Sequence, residues 1–427
     1  MATTRRQFLK RSASAVTVSL VLPKLWLGSA RAQSLQDLDR RIFVVIQLAG
    51  GNDGLNTVVP YTNSTYLSMR PTLGFKDTDL KDAQGASTII DSSFGFHPSL
   101  SEIKSMYDSQ KVAVVLGVSY PNPNLSHFLS QDIWQTANTN GGVGNGWLGK
   151  YADQKLFGQS GLSAISIGGS LPKAMFADKF VVPNISSFAN YQFQTDARNT
   201  GDRTNQINTF NSTNSRTFDP GTFIAEIAST GVDALGGAQR VQDAVATYSS
   251  AITYPTNNSL ASALKMVSQI VTTIPEANLF YVQMGGFDHH SAEIGNAQNP
   301  TDKTIGQHAT LLGNFSKGVK AFYDDMAAHG LADKLLMMSW SEFGRRPNEN
   351  ASRGTDHGTA SPQFVIGDPV HSGLYGEQPS LTDLDSAGNM KVKVDFRSIY
   401  ATILDKWLGS DSQSVLGARY DNIGFLG

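Results

Sequence analysis

The sequence predicts an α/β fold, a three-layer α/β/α sandwich around a mostly parallel sheet. Three observations carry the prediction. Continuous apolar runs recur along the chain, the pattern of strands buried on both faces. Segments with apolar residues at helical spacing lie between them, and this alternation argues for helices on both sides of one sheet. Short Gly-rich turns bearing acids and histidines accompany several runs, at the positions where α/β enzymes gather their ligands.

Residues 41–48 (RIFVVIQL) form the first run, followed by Gly50, Gly51, Asn52, Asp53 and Gly54. Residues 112–118 (VAVVLGV) and 164–167 (AISI) predict two more strands. Residues 279–284 (LFYVQM) lead into Gly285, Gly286, Phe287, Asp288, His289 and His290. Residues 335–340 (LLMMSW) lead into Ser341, Glu342, Phe343, Gly344, Arg345 and Arg346. The last run, residues 364–366, stands just behind Thr355, Asp356, His357 and Gly358. Helical spacing appears over residues 99–109 and over 306–329, where Leu311, Leu312, Phe315, Val319, Phe322, Tyr323 and Met326 share a face. It appears again over 395–408, with Asp395 as the N-cap. Residues 184–220 are rich in Asn, Thr, Ser and Gln with scattered apolar residues, which predicts an insertion or cap over the sheet edge. Residues 224–252 and 260–271 then read as helical, so the polar insertion is drawn over 184–275. Residues 77–93 read as a polar loop.

A chain of 427 residues suits two or three average domains or one large α/β domain with insertions. The second reading is preferred, with one domain over 33–427. The net charge of −2 gives no pull toward nucleic acid or acidic lipid, so neither is expected as a partner. The absence of cysteine excludes a thiol nucleophile, a disulfide framework and a thiolate-ligated metal. The N-terminus carries Arg5 and Arg6, a modestly apolar stretch over 13–27, and Ala30-Arg31-Ala32 before Gln33. That order is a twin-arginine export signal over residues 1–32. The apolar stretch is too short and interrupted for stable membrane insertion. The expectation is a periplasmic or extracellular protein that meets the twin-arginine translocase during export.

The chemistry concentrates in the turns. Only eight histidines exist, so three in two of these turns is a concentration. Asp288 and His290 are two residues apart and at a strand end would point to the same side, a spacing that suits one metal ion. Asp356 and His357 offer an acid and an imidazole in a Gly-flanked loop. Each pair alone could be an ordinary surface turn, but several of them beside strands favour a divalent-metal site. Asp53 lies in a turn where glycines allow close backbone approach, and is equally a plain Asn-Asp-Gly turn. Glu342 reads as a ligand, a general base or a helix-start carboxylate. Arg345 and Arg346 could clamp a planar oxyanion, and a solvated basic turn is as good a reading for one of them. Ser126 and His127 follow a Pro-Asn loop and precede a helical run. A serine there is either a nucleophile in positive helix potential or a plain N-cap.

Together GGNDGLNTVVPY (50–61), SHF (126–128), FDHH (287–290), SEFGRR (341–346), GTDHGTA (354–360) and DFRSIYATILDKWLG (395–409) resemble the bacterial exported family known as domain of unknown function 1501. That family resembles in turn the alkaline phosphatase and sulfatase superfamily. The resemblance implies an alkaline phosphatase-like fold with Ser126 as nucleophile. It implies metal ligands at Asp53, Asp288, His290, Glu342 and His357, and Arg345 as an anion holder. Phe343 stands where the pattern has a histidine, and His127 or Asp356 would compensate. The cofactor implied is one or two divalent ions, zinc first, with manganese, calcium or magnesium as alternatives. No serine stands in the C/S-x-P-x-R context of a formylglycine sulfatase. The expected activity is hydrolysis of a phosphate or sulfate ester on a small molecule or polymer. The alternative is a non-catalytic periplasmic protein that binds metal or polymer through a degraded site.

Overall fold

The computed structural model describes residues 40–195 and 198–427. The twin-arginine signal expected over 1–32 lies outside the described residues. The strands are β1 (Ile42–Leu48), β2 (Val58–Val59), β3 (Gly95–Phe96), β4 (Val112–Ser119), β5 (Ala164–Ile167), β6 (Asn184–Ile185), β7 (Leu279–Met284), β8 (Leu335–Trp340), β9 (Arg345–Glu349), β10 (Thr355–His357), β11 (Ser361–Ile366), β12 (Gly373–Gly376) and β13 (Val394–Asp395). The helices are α1 (Gly54–Thr57), α2 (Ser64–Met69), α3 (Ser101–Asp108), α4 (His127–Thr136), α5 (Trp147–Lys155), α6 (Thr200–Asn214), α7 (Phe223–Thr247), α8 (Ser259–Val271), α9 (Gln307–Ala328), α10 (Phe396–Lys406) and α11 (Ser412–Leu416).

Among the described residues, nine strands form one sheet in the order β12-β4-β11-β8-β1-β7-β5-β6, with β13 beside β4. Every pairing is parallel except those of β11, which runs against both β4 and β8. The continuous apolar runs have the cause assigned to them, since every residue of β1, β4 and β8 is buried. Alternate residues of β1 feed two different cores. Ile42, Val44 and Ile46 pack with residues of α3, α8 and α9, while Phe43 and Val45 pack with residues of α4, α5 and α10. The architecture is therefore three layers, helix, sheet and helix. The long run over 260–271 proves to be core helix α8 rather than insertion surface. Helix α6 buries no residue, and α7 buries only Ala228, Val241 and Ala244.

The register brings the three informative turns to one edge. Strand β1 lies between β7 and β8, with Leu48 opposite Met284 and Gln47 opposite Trp340. Because these strands run in one direction, their carboxyl ends emerge together. Helix α4 is fixed beside that edge by aromatic packing. Trp134 stacks on Trp340 at 5.3 Å and on Phe396 at 4.2 Å, and its carbonyl accepts a hydrogen bond from the Tyr400 hydroxyl at 3.1 Å. Burying an indole of this kind contributes about 4–6 kcal/mol. At the other end of the helix, Ser130 Oγ donates to the Glu342 carbonyl at 2.6 Å. His127 is the helix's first residue and so stands over the turn after β8.

Candidate metal centre

Asp288 is the hub. Its Oδ1 lies 3.1 Å from His290 Nε2 and 3.2 Å from His357 Nε2, and its Oδ2 lies 3.4 Å from His127 Nε2. The Nε2 atoms of His290 and His357 are 2.9 Å apart. Ligand atoms of His127, Asp288 and His357 all fall within 4.8 Å of one another. Asp288 and His290 are exposed, and His127 and His357 are half-buried, so the cluster opens to solvent. The backbone at Asp288 and His290 is a loop rather than strand, but the two side chains still turn to one point.

Each imidazole turns its Nδ1 outward to an oxygen acceptor. His357 Nδ1 lies 2.9 Å from the Leu125 carbonyl, which can only accept, so Nδ1 carries the proton. His127 Nδ1 lies 2.7 Å from Glu342 Oε1, again an acceptor. His290 Nδ1 faces Asp356 Oδ1 at 3.4 Å. The Nε2 atoms of all three rings then turn inward beside the Asp288 carboxylate. His127 Nε2 is buried with no hydrogen-bond partner among the described residues. Two ring nitrogens at 2.9 Å need a positive centre between them, a shared proton or a metal ion. Ligands about 2.0–2.1 Å from a tetrahedral zinc ion stand roughly 3.3 Å apart, close to the separations here. The donor set fits a divalent cation.

Surrounding groups keep both carboxylates ionised and pull the imidazoles in opposite directions. Burial works against an ionised Asp288, but Arg345 and His357 outweigh it and hold the carboxyl at about 2. The hydrogen bond to Glu342 raises His127. Burial lowers His357. Asp356 is held low first by Asn350 and also by His290.

The other expected residues take different positions. Glu342 is fully buried and its Oε1 accepts from Gly50 N at 2.9 Å, His127 Nδ1 at 2.7 Å and Gln131 Nε2 at 3.0 Å, so it orients a ligand rather than facing the centre. Asp53 is also buried, and both of its oxygens are bound by Arg70, one at 2.9 Å. Arg345 is buried beneath the turns. It donates to Gly51 O at 2.6 Å, Thr355 O at 2.8 Å, Phe287 O at 3.2 Å, Gly50 O and Asp288 Oδ1 at 2.7 Å. It therefore ties the three turns together, and its donors are directed at backbone carbonyls and Asp288 rather than at an open anion site. Ser126 is exposed at the N-cap of α4, one residue before His127, and makes no capping bond. Phe343 is buried against the rings of His127 at 4.8 Å and His357 at 4.7 Å. Gly51, at φ +73°, lets that ring approach, since a Cβ there would lie 2.4 Å from it.

Sequence reasoning missed a buried polar layer under the site. Arg70, Glu293, His308 and His289 all belong to it. Glu293 is raised well above the usual carboxylate range by burial and by Asp53. His308 Nε2 lies 3.0 Å from Asn52 Oδ1. His289 is lowered to about 4 by burial, and neither ring nitrogen has a partner among the described residues. Only His289 carried a signal, as a neighbour of Asp288 and His290.

Fold and site define an α/β protein with a carboxylate–imidazole centre at the carboxyl edge of a mostly parallel sheet. The chain belongs to the family described as Protein of unknown function (DUF1501), which matches residues 40–422. No curated protein matches its sequence. Among solved structures it is similar to Ps i-CgsB in complex with k-i-k-neocarrahexaose, at 10% identity and TM-score 0.38 over 89% of this chain and 73% of that one. It is similar to a protein in the alkaline phosphatase superfamily from Vibrio parahaemolyticus, at 9% identity and TM-score 0.36 over 98% and 76%. It is also similar to the C-terminal periplasmic domain of EcEptC from Escherichia coli in complex with Zn, at 10% identity and TM-score 0.35 over 77% and 74%.

Proposed function

We propose that this protein is a metal-dependent hydrolase of phosphate or sulfate esters that acts after twin-arginine export to the periplasm. One observation carries the reading: the Nε2 atoms of His127, His290 and His357 converge on the carboxylate of Asp288, with their Nδ1 atoms turned outward to oxygen acceptors. Imidazole-rich sets with one carboxylate suit zinc, and are poor for calcium and magnesium, which prefer oxygen. Bound there, the cation would supply Lewis-acid charge for the ester oxygens. The protein's own groups do the positioning. Glu342 holds the proton on His127 Nδ1, and the Leu125 carbonyl holds that on His357 Nδ1. Ser126 offers an uncapped hydroxyl in the positive potential of the α4 N-terminus, as a nucleophile requires. No helix among the described residues is long and apolar enough to cross a membrane. The substrate class is left as small-molecule or polymer esters.

The test is metal content together with hydrolysis of aryl phosphate monoesters, diesters and sulfates across zinc, manganese, calcium and magnesium. Stoichiometric metal with turnover, abolished by Asp288→Asn, supports the reading. Unchanged turnover in Ser126→Ala would remove Ser126 as nucleophile. A second reading is favoured by the burial of Arg345, which leaves no anion clamp at that position. Stoichiometric metal with no turnover of any ester would select it: a non-catalytic periplasmic binding protein.

A further inference from the structure

The family resemblance implies one or two cations, a second being held by an acid and an imidazole at positions 342 and 343, with Asp53 as a further ligand. The residues present at that second position do not fit a metal ion. Phe343 is apolar and packs, tilted, against the imidazoles of His127 and His357. Glu342 is fully buried, its Oε1 accepts from three donors at 2.9, 2.7 and 3.0 Å, and its Oε2 faces Ser341 Oγ at 3.4 Å. Asp53 is ion-paired through both oxygens to Arg70.

We propose that the buried Arg70 guanidinium stands in permanently for a second metal ion, so that the centre holds one metal. The proposal rests on the reading of Asp288, His290, His357 and His127 as ligands. Arg70 is 1% exposed, and it also donates to Pro347 O at 2.8 Å and Arg346 O at 2.9 Å. A guanidinium does not lose its proton in proteins, so this positive charge is fixed. It answers the Asp53 carboxylate in the two-pronged geometry that arginine and carboxylate favour. A divalent ion beside Asp53 would meet a like charge with no room to retreat. Arg70 caps the end of α2, whose start is held by Asn63 accepting from Thr65 N and Tyr66 N. The guanidinium is thus delivered by a capped helix rather than a loose loop. Its partner Asp53 sits two residues after Gly51, which abuts Phe343. Arg70 is therefore a positioning residue: it anchors the β1 turn against which the metal ligands are packed.

The experiment is metal counting on the full chain after zinc loading and desalting. It compares the wild type with a variant carrying Asp53→Asn and Arg70→Gln, a neutral amide pair in place of the ion pair. One zinc per chain in both proteins is the expected result. Two per chain in the wild type, with one lost in the variant, overturns the proposal while leaving the hydrolase reading intact. No zinc in the wild type sinks the metal reading and the proposal with it. If the variant does not fold, anomalous scattering from zinc-soaked wild-type crystals decides. A single peak beside Asp288 supports the proposal, and a second peak within bonding distance of Asp53 overturns it.

Discussion

Replacing Glu342 with glutamine tests whether this carboxylate acts through His127. Glu342 is fully buried and 2.7 Å from His127 Nδ1, its one imidazole hydrogen-bond partner among the described residues. Glutamine keeps the shape but removes the charge, and in one amide orientation it presents N–H to the N–H of the ring. Partners that orient a metal-bound histidine are worth roughly 10–100-fold in metal affinity. That range converts to about 1.4–2.8 kcal/mol. The assay is a zinc titration against a competing chromophoric chelator. Glu342→Gln should keep the wild-type stoichiometry and weaken the dissociation constant within that range. The same titration on His127→Ala, and on the double variant, isolates the route. If Glu342 works only by orienting His127, the double variant binds no more weakly than His127→Ala alone. An unchanged affinity in Glu342→Gln, or losses that simply add in the double variant, would refute the argument.

Asp325 of α9 should matter for stability and not for the site. Its carboxylate accepts from Tyr248 at 2.6 Å, Tyr254 at 2.8 Å, and the hydroxyls of Ser250 and Ser268, which ties the segment after α7 to the core. Asp325→Ala should cost about 3–4 kcal/mol by leaving those hydroxyls unpaired, seen as a lower denaturation midpoint with unchanged zinc affinity. Gly51→Ala should cost about 1–3 kcal/mol, from φ +73° and a Cβ 2.4 Å from Phe343, and should weaken zinc binding by pushing that ring into His127 and His357. The Asp53–Arg70 pair predicts an acid-sensitive stability. Burial alone would raise Asp53, but Arg70 holds its carboxyl at about 2, below the unfolded value, so its stabilisation is complete above about pH 4 and disappears as the pH falls toward 2. Denaturant titrations should lose about 2–3 kcal/mol across that window in the wild type, and this loss should be absent from the Asp53→Asn, Arg70→Gln pair.

Much of the fold was legible because burial on both faces writes itself as uninterrupted apolar sequence. Strands β1, β4, β7 and β8 stand within a residue of the runs that predict them, and Asp395 caps α10 by accepting from Arg397 N, as its position before an apolar helix implies. The direction of β11 was not legible. Phe364, Val365 and Ile366 bury the same surface whichever way the strand runs, and only the β9–β10 hairpin before it turns the chain around. Helix α6 was missed for the opposite reason: Thr200–Asn214 buries nothing, so no apolar stripe marks it.

The site divides along a similar line, between groups whose role is set by neighbours in the chain and groups whose role is set by a distant partner. Asp288, His290 and His357 were found because glycines beside them announce turns, and turns at strand ends are where ligands meet. Asp53 satisfies the same local rule and yet binds Arg70, which lies 17 residues on in a segment with no chemical signature. Arg345 and Arg346 are adjacent and alike in sequence, but strand alternation sends the first into the core, where it bonds backbone carbonyls of three separate turns, and leaves the second half-buried. A carboxylate reads the same whether a metal or a guanidinium answers it, and an arginine reads the same whether it meets a ligand or a carbonyl. Local sequence therefore identifies where charge is concentrated. Which charge is left open for a ligand depends on long-range pairing, and here that pairing closes Asp53 and Arg345 and leaves Asp288 and its imidazoles facing solvent.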